Sequence, residues 1–274
     1  MLPAERGPAN AFARIVSALV LAPLAIAAVL IGGRPFVLFW SVAAIGVYWE
    51  WSAELVRAPR SAQIAGAAVL AIAGALAAAG YPGAAVLVIA AGAGALAALA
   101  KENRLWCAAG VLYAGVVLAG PVLLRGDPQF GAIALLYLFA VVWATDIVAF
   151  FGGRLIGGPK LAPGISPKKT WSGAVAGALG AVVAGGAVAA AASLTNLLAA
   201  IGLALLLSAV AQAGDLGESA VKRHFGVKDS SRIIPGHGGL MDRLDGFLAA
   251  AGAAALLGVA RGGLDGAGGG LLAW

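Results

Sequence analysis

The sequence predicts an all-α integral membrane protein with about nine transmembrane helices and two long polar loops. Three observations carry that expectation. The 274 residues are 62% hydrophobic and only 11% charged, with a mean hydropathy of +0.97; a soluble domain averages about 25% charged residues. Apolar runs of the roughly 20 residues that cross a bilayer fill most of the chain. The charge is gathered: Lys222 to Gly246, KRHFGVKDSSRIIPGHGGLMDRLDG, holds five basic and three acidic side chains and both histidines.

Read between polar breaks, the spans run approximately 12–33, 35–55, 62–79, 83–100, 105–124, 130–151, 172–193, 195–214 and 246–261. The breaks are RAPR (57–60), GYPG (80–83), KENR (101–104), RGDPQ (125–129) and the two long loops, 152–171 and 215–245. The apolar run from Ile15 to Gly33 is long for a signal peptide and lacks a clear cleavage site, so it reads as the first span. Residues 1–128 then form an N-terminal region of about five spans, and 129–274 a catalytic region carrying both loops. With the N-terminus cytoplasmic, 15 of the 18 basic residues fall in cytoplasmic segments, leaving Arg34, Arg125 and Arg261 outside. That is the bias the positive-inside rule requires, and both long loops face the cytoplasm. The same bias explains the net charge of +6 without nucleic acid. The single cysteine, Cys107, excludes a disulfide framework and a cysteine zinc cluster.

Gly173, Gly177, Ala181, Gly185 and Ala189 recur every four residues along the seventh span, a ridge that lets backbones approach closely. Packing within one subunit is its first reading and a homodimer seam its second. No internal repeat of the transporter kind is visible.

The acidic residues divide into two groups. Glu5, Glu50, Glu54, Glu102, Asp127 and Asp265 lie at span ends or in short loops and read as solvated interface charges. Asp146, Asp215, Glu218, Asp229, Asp242 and Asp245 lie near the cytoplasmic ends of spans six and eight or in the last loop, where ionisable groups are functional candidates. Converging carboxylates suit Mg²⁺, which bridges carboxylates and substrate phosphates. Loop 152–171 adds Lys160, Lys168, Lys169, Ser166 and Thr170, and the last loop Lys222, Arg223, Lys228, Arg232 and Arg243. Mixed signs in Gly-rich loops beside intramembrane Asp favour a polyphosphate clamp over a lipid-attracting surface. No Walker A sequence is present. His224 and His237 read as loop or structural histidines, although PGHGG can set His237 beside a phosphate.

Ser219 to Asp245 resembles the signature of phosphatidate cytidylyltransferases, S-x-x-K-R-x-x-x-x-K-D-x-x-x-x-x-[PG]-x-H-G-G-x-x-D-R-x-D. Ser219, Lys222, Arg223, Lys228, Asp229, Pro235, His237, Gly238, Gly239, Asp242, Arg243 and Asp245 all match. Asp146–Arg154 is similar to the family's D-x-x-A-[YF]-x-x-G-R, and Ser166–Thr170 to S-P-K-K-T. Two positions depart: Ser172 stands where the family usually has Glu, and Phe150 where Tyr is common.

The resemblance implies the reaction CTP + phosphatidate → CDP-diacylglycerol + pyrophosphate, in a bacterial inner membrane with both loops forming the active site. It implies Mg²⁺, with Mn²⁺ as a substitute, and a second, monovalent cation such as K⁺. Asp215 and Asp242 are the leading metal ligands, with Asp146 and Asp245 as further candidates; Lys169 joins these four in the catalytic set. The substrate-binding set is Arg154, Ser166, Lys168, Lys169, Thr170, Ser219, Lys222, Arg223, Lys228, Asp229, His237 and Arg243. Two rivals stand beside this reading, a CTP-dependent polyprenol- or phytol-type lipid kinase and an ion-coupled transporter.

Overall fold

A computed structural model describes residues 8–231, 233 and 238–274, with side chains from Leu19 onward. Its helices are α1 (Pro8–Ile31), α2 (Gly33–Trp49), α3 (Arg60–Ala78), α4 (Pro82–Leu99), α5 (Arg104–Arg125), α6 (Gly131–Leu155), α7 (Trp171–Ala191), α8 (Leu197–His224), α9 (Met241–Gly262) and the short α10 (Ala267–Leu272). Among the described residues, eight helices, α2 to α9, are long and apolar enough to cross a membrane, and α1 adds an apolar stretch, Leu19–Ile31. Each falls on one of the nine expected spans, and the protein is an all-α integral membrane protein.

The differences lie at one end. α8 does not stop at 214 but continues to His224, because GDLGESAVKRH contains no proline and builds its own i,i+4 pair, Lys222 on Glu218 at 2.9 Å. Gly226, at φ 70°, then ends the helix, with Val227 N–H donating to the Lys222 carbonyl at 2.9 Å. α9 begins at Met241 rather than 246, so Asp242, Arg243 and Asp245 are helical. Much of the polar segment read as loop 215–245 is therefore two helix ends. Loop 152–171 holds an antiparallel hairpin, β1 (Lys160–Ala162) and β2 (Ser166–Thr170), with Lys160 opposite Thr170 and Ala162 opposite Ser166.

Small residues set the packing. All five residues of the α7 ridge are buried within the chain. A Cβ on Gly173 or Gly177 would stand 2.8 Å from the carbonyl oxygen of Ala149 or Thr145 on α6, and one on Gly185 2.9 Å from Ala204 on α8. The ridge is consumed inside the subunit and is not left as a dimer seam. Deeper in, Thr145 and Ser208 hydroxyls meet at 2.9 Å between α6 and α8, and Trp40 of α2 stacks on Phe247 of α9 at 5.2 Å.

The contacts also sort the connections by end. Asn103, before α5, donates to the Val56 carbonyl after α2 at 3.3 Å; Trp106 packs at a tilt against His224, with ring centroids 5.0 Å apart; Arg223 reaches the Ile165 carbonyl of the hairpin at 3.4 Å. Four of the segments expected on the cytoplasmic side, those around Val56, Asn103, Ile165 and His224, thus share one end. At the other end Arg125 Nε donates to the Val29 carbonyl at 2.8 Å, and Arg34, Arg125 and Asp265 line one pocket. Asp127, read above as solvated, is instead 5% exposed there. It accepts N–H groups from Gln129 and Phe130 (both 2.8 Å) and Gly269 of α10 (2.6 Å). Burial pushes its carboxyl up, but these three donors outweigh burial and hold it below its ordinary value.

Candidate active site

The last turns of α8 supply one wall. Asp215, Glu218, Ser219 and Lys222 are spaced i, i+3, i+4 and i+7, so they share a helix face. Glu218 is 3% exposed, and its two oxygens take Lys222 Nζ at 2.9 Å and the Tyr113 hydroxyl of α5 at 2.8 Å. Lys222 Nζ also donates to Asp242 Oδ1, at 2.5 Å, joining α8 to the first turn of α9.

Asp242 is held by four donors, counting Lys222. Its Oδ2 accepts Ser230 N–H (2.9 Å), Ser230 Oγ (2.9 Å) and Gly239 N–H (2.8 Å), the last from just before the first turn of α9. The hairpin closes the site from a third side. Successive strand residues face opposite ways: Lys169 forms an ion pair with Asp215, while Lys168 is exposed. Asp146 of α6 has no hydrogen-bond partner among the described residues and lies within electrostatic reach of Asp215, Lys169 and Arg243. Asp245, bonded among the described residues to its neighbour's N–H alone, at 2.7 Å, is within reach of Asp215, Glu218 and Asp146.

The predicted residues therefore separate. Asp146, Lys169, Asp215, Ser219, Lys222, Asp242, Arg243 and Asp245 gather at one end of α6, α8 and α9. Thr170 is buried as the α7 N-cap, accepting from Gly173 N–H at 3.1 Å. Arg223 spans the Ile165 and Val227 carbonyls, and Arg154 lies 5.0 Å over the Phe150 ring. Ser166 pairs in the hairpin. Lys228 and Asp229 line a neighbouring open pocket of about 990 Å³ with Trp49, Arg57 and Ser230. His237 lies outside the described residues. Ser172, the departure from the family pattern, donates to the Gly157 carbonyl and ties α7 to the preceding turn.

Three contributors escaped the sequence reading. Tyr113 carries no local signal in an apolar helix, and Ser230 is one of two adjacent serines. Glu50, taken for a solvated end charge, is fully buried at 0% exposure at the start of a π-helical turn, Glu50–Leu55, that continues α2. Its signal was an acid between two tryptophans.

Among the described residues no three acid, histidine or cysteine side chains are already set as ligands of a metal. The donor chemistry nevertheless fits a hard divalent cation. Asp146, Asp215 and Asp245 offer oxygens with few protein donors, and the lysine ammonium groups on Asp215 and Asp242 Oδ1 show that these oxygens favour positive charge.

The sequence profile of the cytidylyltransferase family matches residues 12–260. Proteins named phosphatidate cytidylyltransferase from Brucella abortus and Brucella suis are 44% identical over 260 residues, covering 88% of this chain and 91% of theirs. One of the same name from Staphylococcus aureus is 40% identical over 144 residues, covering 52% of this chain and 54% of its own.

Proposed function

The chain belongs to the cytidylyltransferase family, and on that premise we propose that it transfers the cytidylyl group of CTP to phosphatidate in the membrane. A phosphate oxygen of phosphatidate attacks the α-phosphorus of CTP. The new P–O bond forms as the bond to the bridging oxygen of the β-phosphate breaks, and pyrophosphate leaves with that electron pair. The nucleophile is already an anion, so no serine–histidine pair is needed. The work is to hold two polyanions together and disperse their charge.

The observation that carries the reading is the pairing of cations with carboxylates across three elements, Lys169 with Asp215 and Lys222 with Asp242. Lys169 and Arg243 would meet the phosphates, with Lys168, Arg223 and Lys228 at the rim. Asp146, Asp215, Asp245 and the Oδ1 edge of Asp242 would hold Mg²⁺, which when bound neutralises charge on the reacting phosphates. Lys222 would fix Asp242. Residues 129–274 would carry the chemistry on the support of 1–128. The basic loops gathered at one end favour a cytoplasmic active site in a bacterial inner membrane.

The test supplies purified protein with phosphatidate, Mg²⁺ and CTP labelled at either the α- or the γ-phosphate. Label from the α-position alone in CDP-diacylglycerol is expected. Lipid label from the γ-position alone would make the protein a lipid kinase. Reporter fusions after Arg154 and Lys228 should both read cytoplasmic, and opposite readings would sink the shared site.

A further inference from the structure

We infer that Glu50 is a positioning residue of the active site, an anchor from the N-terminal helices that sets where Asp242 stands. The inference rests on Asp242 belonging to the catalytic centre. The buried face of α2 includes Phe36, Val37, Trp40, Ser41, Ala44, Val47 and Tyr48, a 3.6-residue pattern whose continuation is Trp51, Ser52 and Leu55. Glu50 lies at the edge of that face, seven residues after the buried Ala43 and three after Val47, and it is completely buried. A π-helical turn begins there, and such turns are frequent at functional sites.

Each Glu50 oxygen receives two donors. Oε1 accepts Ser231 Oγ and Leu240 N–H, both at 2.7 Å; Oε2 accepts Met241 N–H at 2.7 Å and Ser230 Oγ at 3.0 Å. The donors come from two stretches of the α8–α9 connection, 230–231 and 240–241. One carboxylate therefore fastens the connection to itself, to α2 and to the start of α9.

One of those atoms, the Ser230 hydroxyl, also holds Asp242. Ser230 offers Asp242 both its N–H and its hydroxyl, and that hydroxyl also faces Glu50; its single proton serves one carboxylate at a time. Gly239, the third donor to Asp242, lies so close that a Cβ there would stand 1.9 Å from Ser230 Oγ and 2.5 and 2.6 Å from the Glu50 oxygens. A helix end alone would be satisfied by serine or water. A buried carboxylate is costly unless fully bonded, and here its donors are the Ser230 hydroxyl it shares with Asp242 and three groups, on Ser231, Leu240 and Met241, that stand beside Asp242 or its donors in the chain.

The experiment compares the full-length detergent-purified wild type with Glu50→Gln, Ser231→Ala and Asp242→Asn, measuring kcat, KM for CTP and melting. Gln keeps one acceptor but turns an NH₂ toward existing donors. Glu50→Gln should lower kcat about 10- to 100-fold with KM for CTP within about threefold, because the phosphate-facing cations are untouched. Ser231→Ala, a milder cut, should lower kcat about 3- to 10-fold with the same split, and it decides the matter if Glu50→Gln does not fold. Wild-type kcat in these variants beside an inactive Asp242→Asn overturns the inference, as does a change in KM alone or a loss matching only the unfolded fraction. An active Asp242→Asn instead overturns the catalytic assignment of Asp242 on which the inference rests.

Discussion

Replacing Lys222 with methionine separates charge balance from chemistry. The ammonium lies 2.9 Å from Glu218 and 2.5 Å from Asp242, and the three side chains are 10%, 0% and 7% exposed. Two acids against one base leave the trio at −1. Methionine keeps the length of the stem and removes the cation, leaving −2 in a nearly dry site. Breaking a buried pair by removing one partner costs about 3–5 kcal/mol. At roughly 2–4 °C per kcal/mol for chains of this size, melting should fall by about 10 °C. Adding Glu218→Gln restores the balance to −1, since Gln can still accept from the Tyr113 hydroxyl. The double variant Lys222→Met/Glu218→Gln should therefore regain most of the lost melting temperature but remain at least about 100-fold below wild type in CDP-diacylglycerol formation, because Asp242 Oδ1 has still lost its partner. Tryptophan-fluorescence melting and turnover of labelled CTP measure the two effects on one sample. Recovery of activity together with stability would refute the reasoning, for Lys222 would then only balance charge.

Three further outcomes follow from other parts of the molecule. Lys169→Ala should cost about 10- to 150-fold in kcat/KM for CTP with little change in melting, as expected for a charge-assisted contact to phosphate. Gly239→Ala should abolish activity and loosen the α8–α9 connection to hydrogen exchange, since its methyl would overlap Ser230 Oγ and press on Glu50. Asp127→Asn should lower melting at pH 7, where the carboxylate on Gln129, Phe130 and Gly269 N–H groups is intact. Because the folded-state pKa of Asp127 is depressed, its contribution is present above the ordinary 3.8 and is lost as pH falls through the lower folded value, so the two proteins' melting temperatures should begin to converge below pH 3.8 and meet only below the folded value.

The sequence was most legible where one physical rule acts alone. A bilayer demands long apolar helices, and every expected span holds a helix. The side preference of arginine and lysine sorted the connections by end, and the structure gathers the same segments through Asn103, Trp106 and Arg223. Boundaries failed where polar residues stay helical. Hydropathy ended the eighth span at 214, although Glu218 and Lys222 satisfy one another a turn apart, and Gly226 with Lys222, Arg223 and His224 before it is a helix-end signal. Glu50 was misread for a different reason. Its partners are 180 to 191 residues away, and no local pattern reveals that two serines and a helix start will meet it. Tyr113 and Glu218, 105 residues apart, are the same case.

The two lysine–aspartate pairs, alike in sequence, differ in what they can do. Lys169 and Asp215 are 27% and 28% exposed, so solvent screens their attraction, and such a pair contributes about 0–1 kcal/mol. An arriving phosphate bears more charge than Asp215 and can take the Lys169 ammonium at little cost, freeing the aspartate to face a cation. Lys222 has no such liberty. Two carboxylates hold it, Tyr113 backs one and Ser230 and Gly239 the other, and detaching it would strand a buried charge at about 3–5 kcal/mol. A site that must gather two polyanions and then release one as pyrophosphate needs both kinds of lysine. On the proposed reaction, Lys169 would exchange partners during turnover while Lys222 would keep the carboxylates in place.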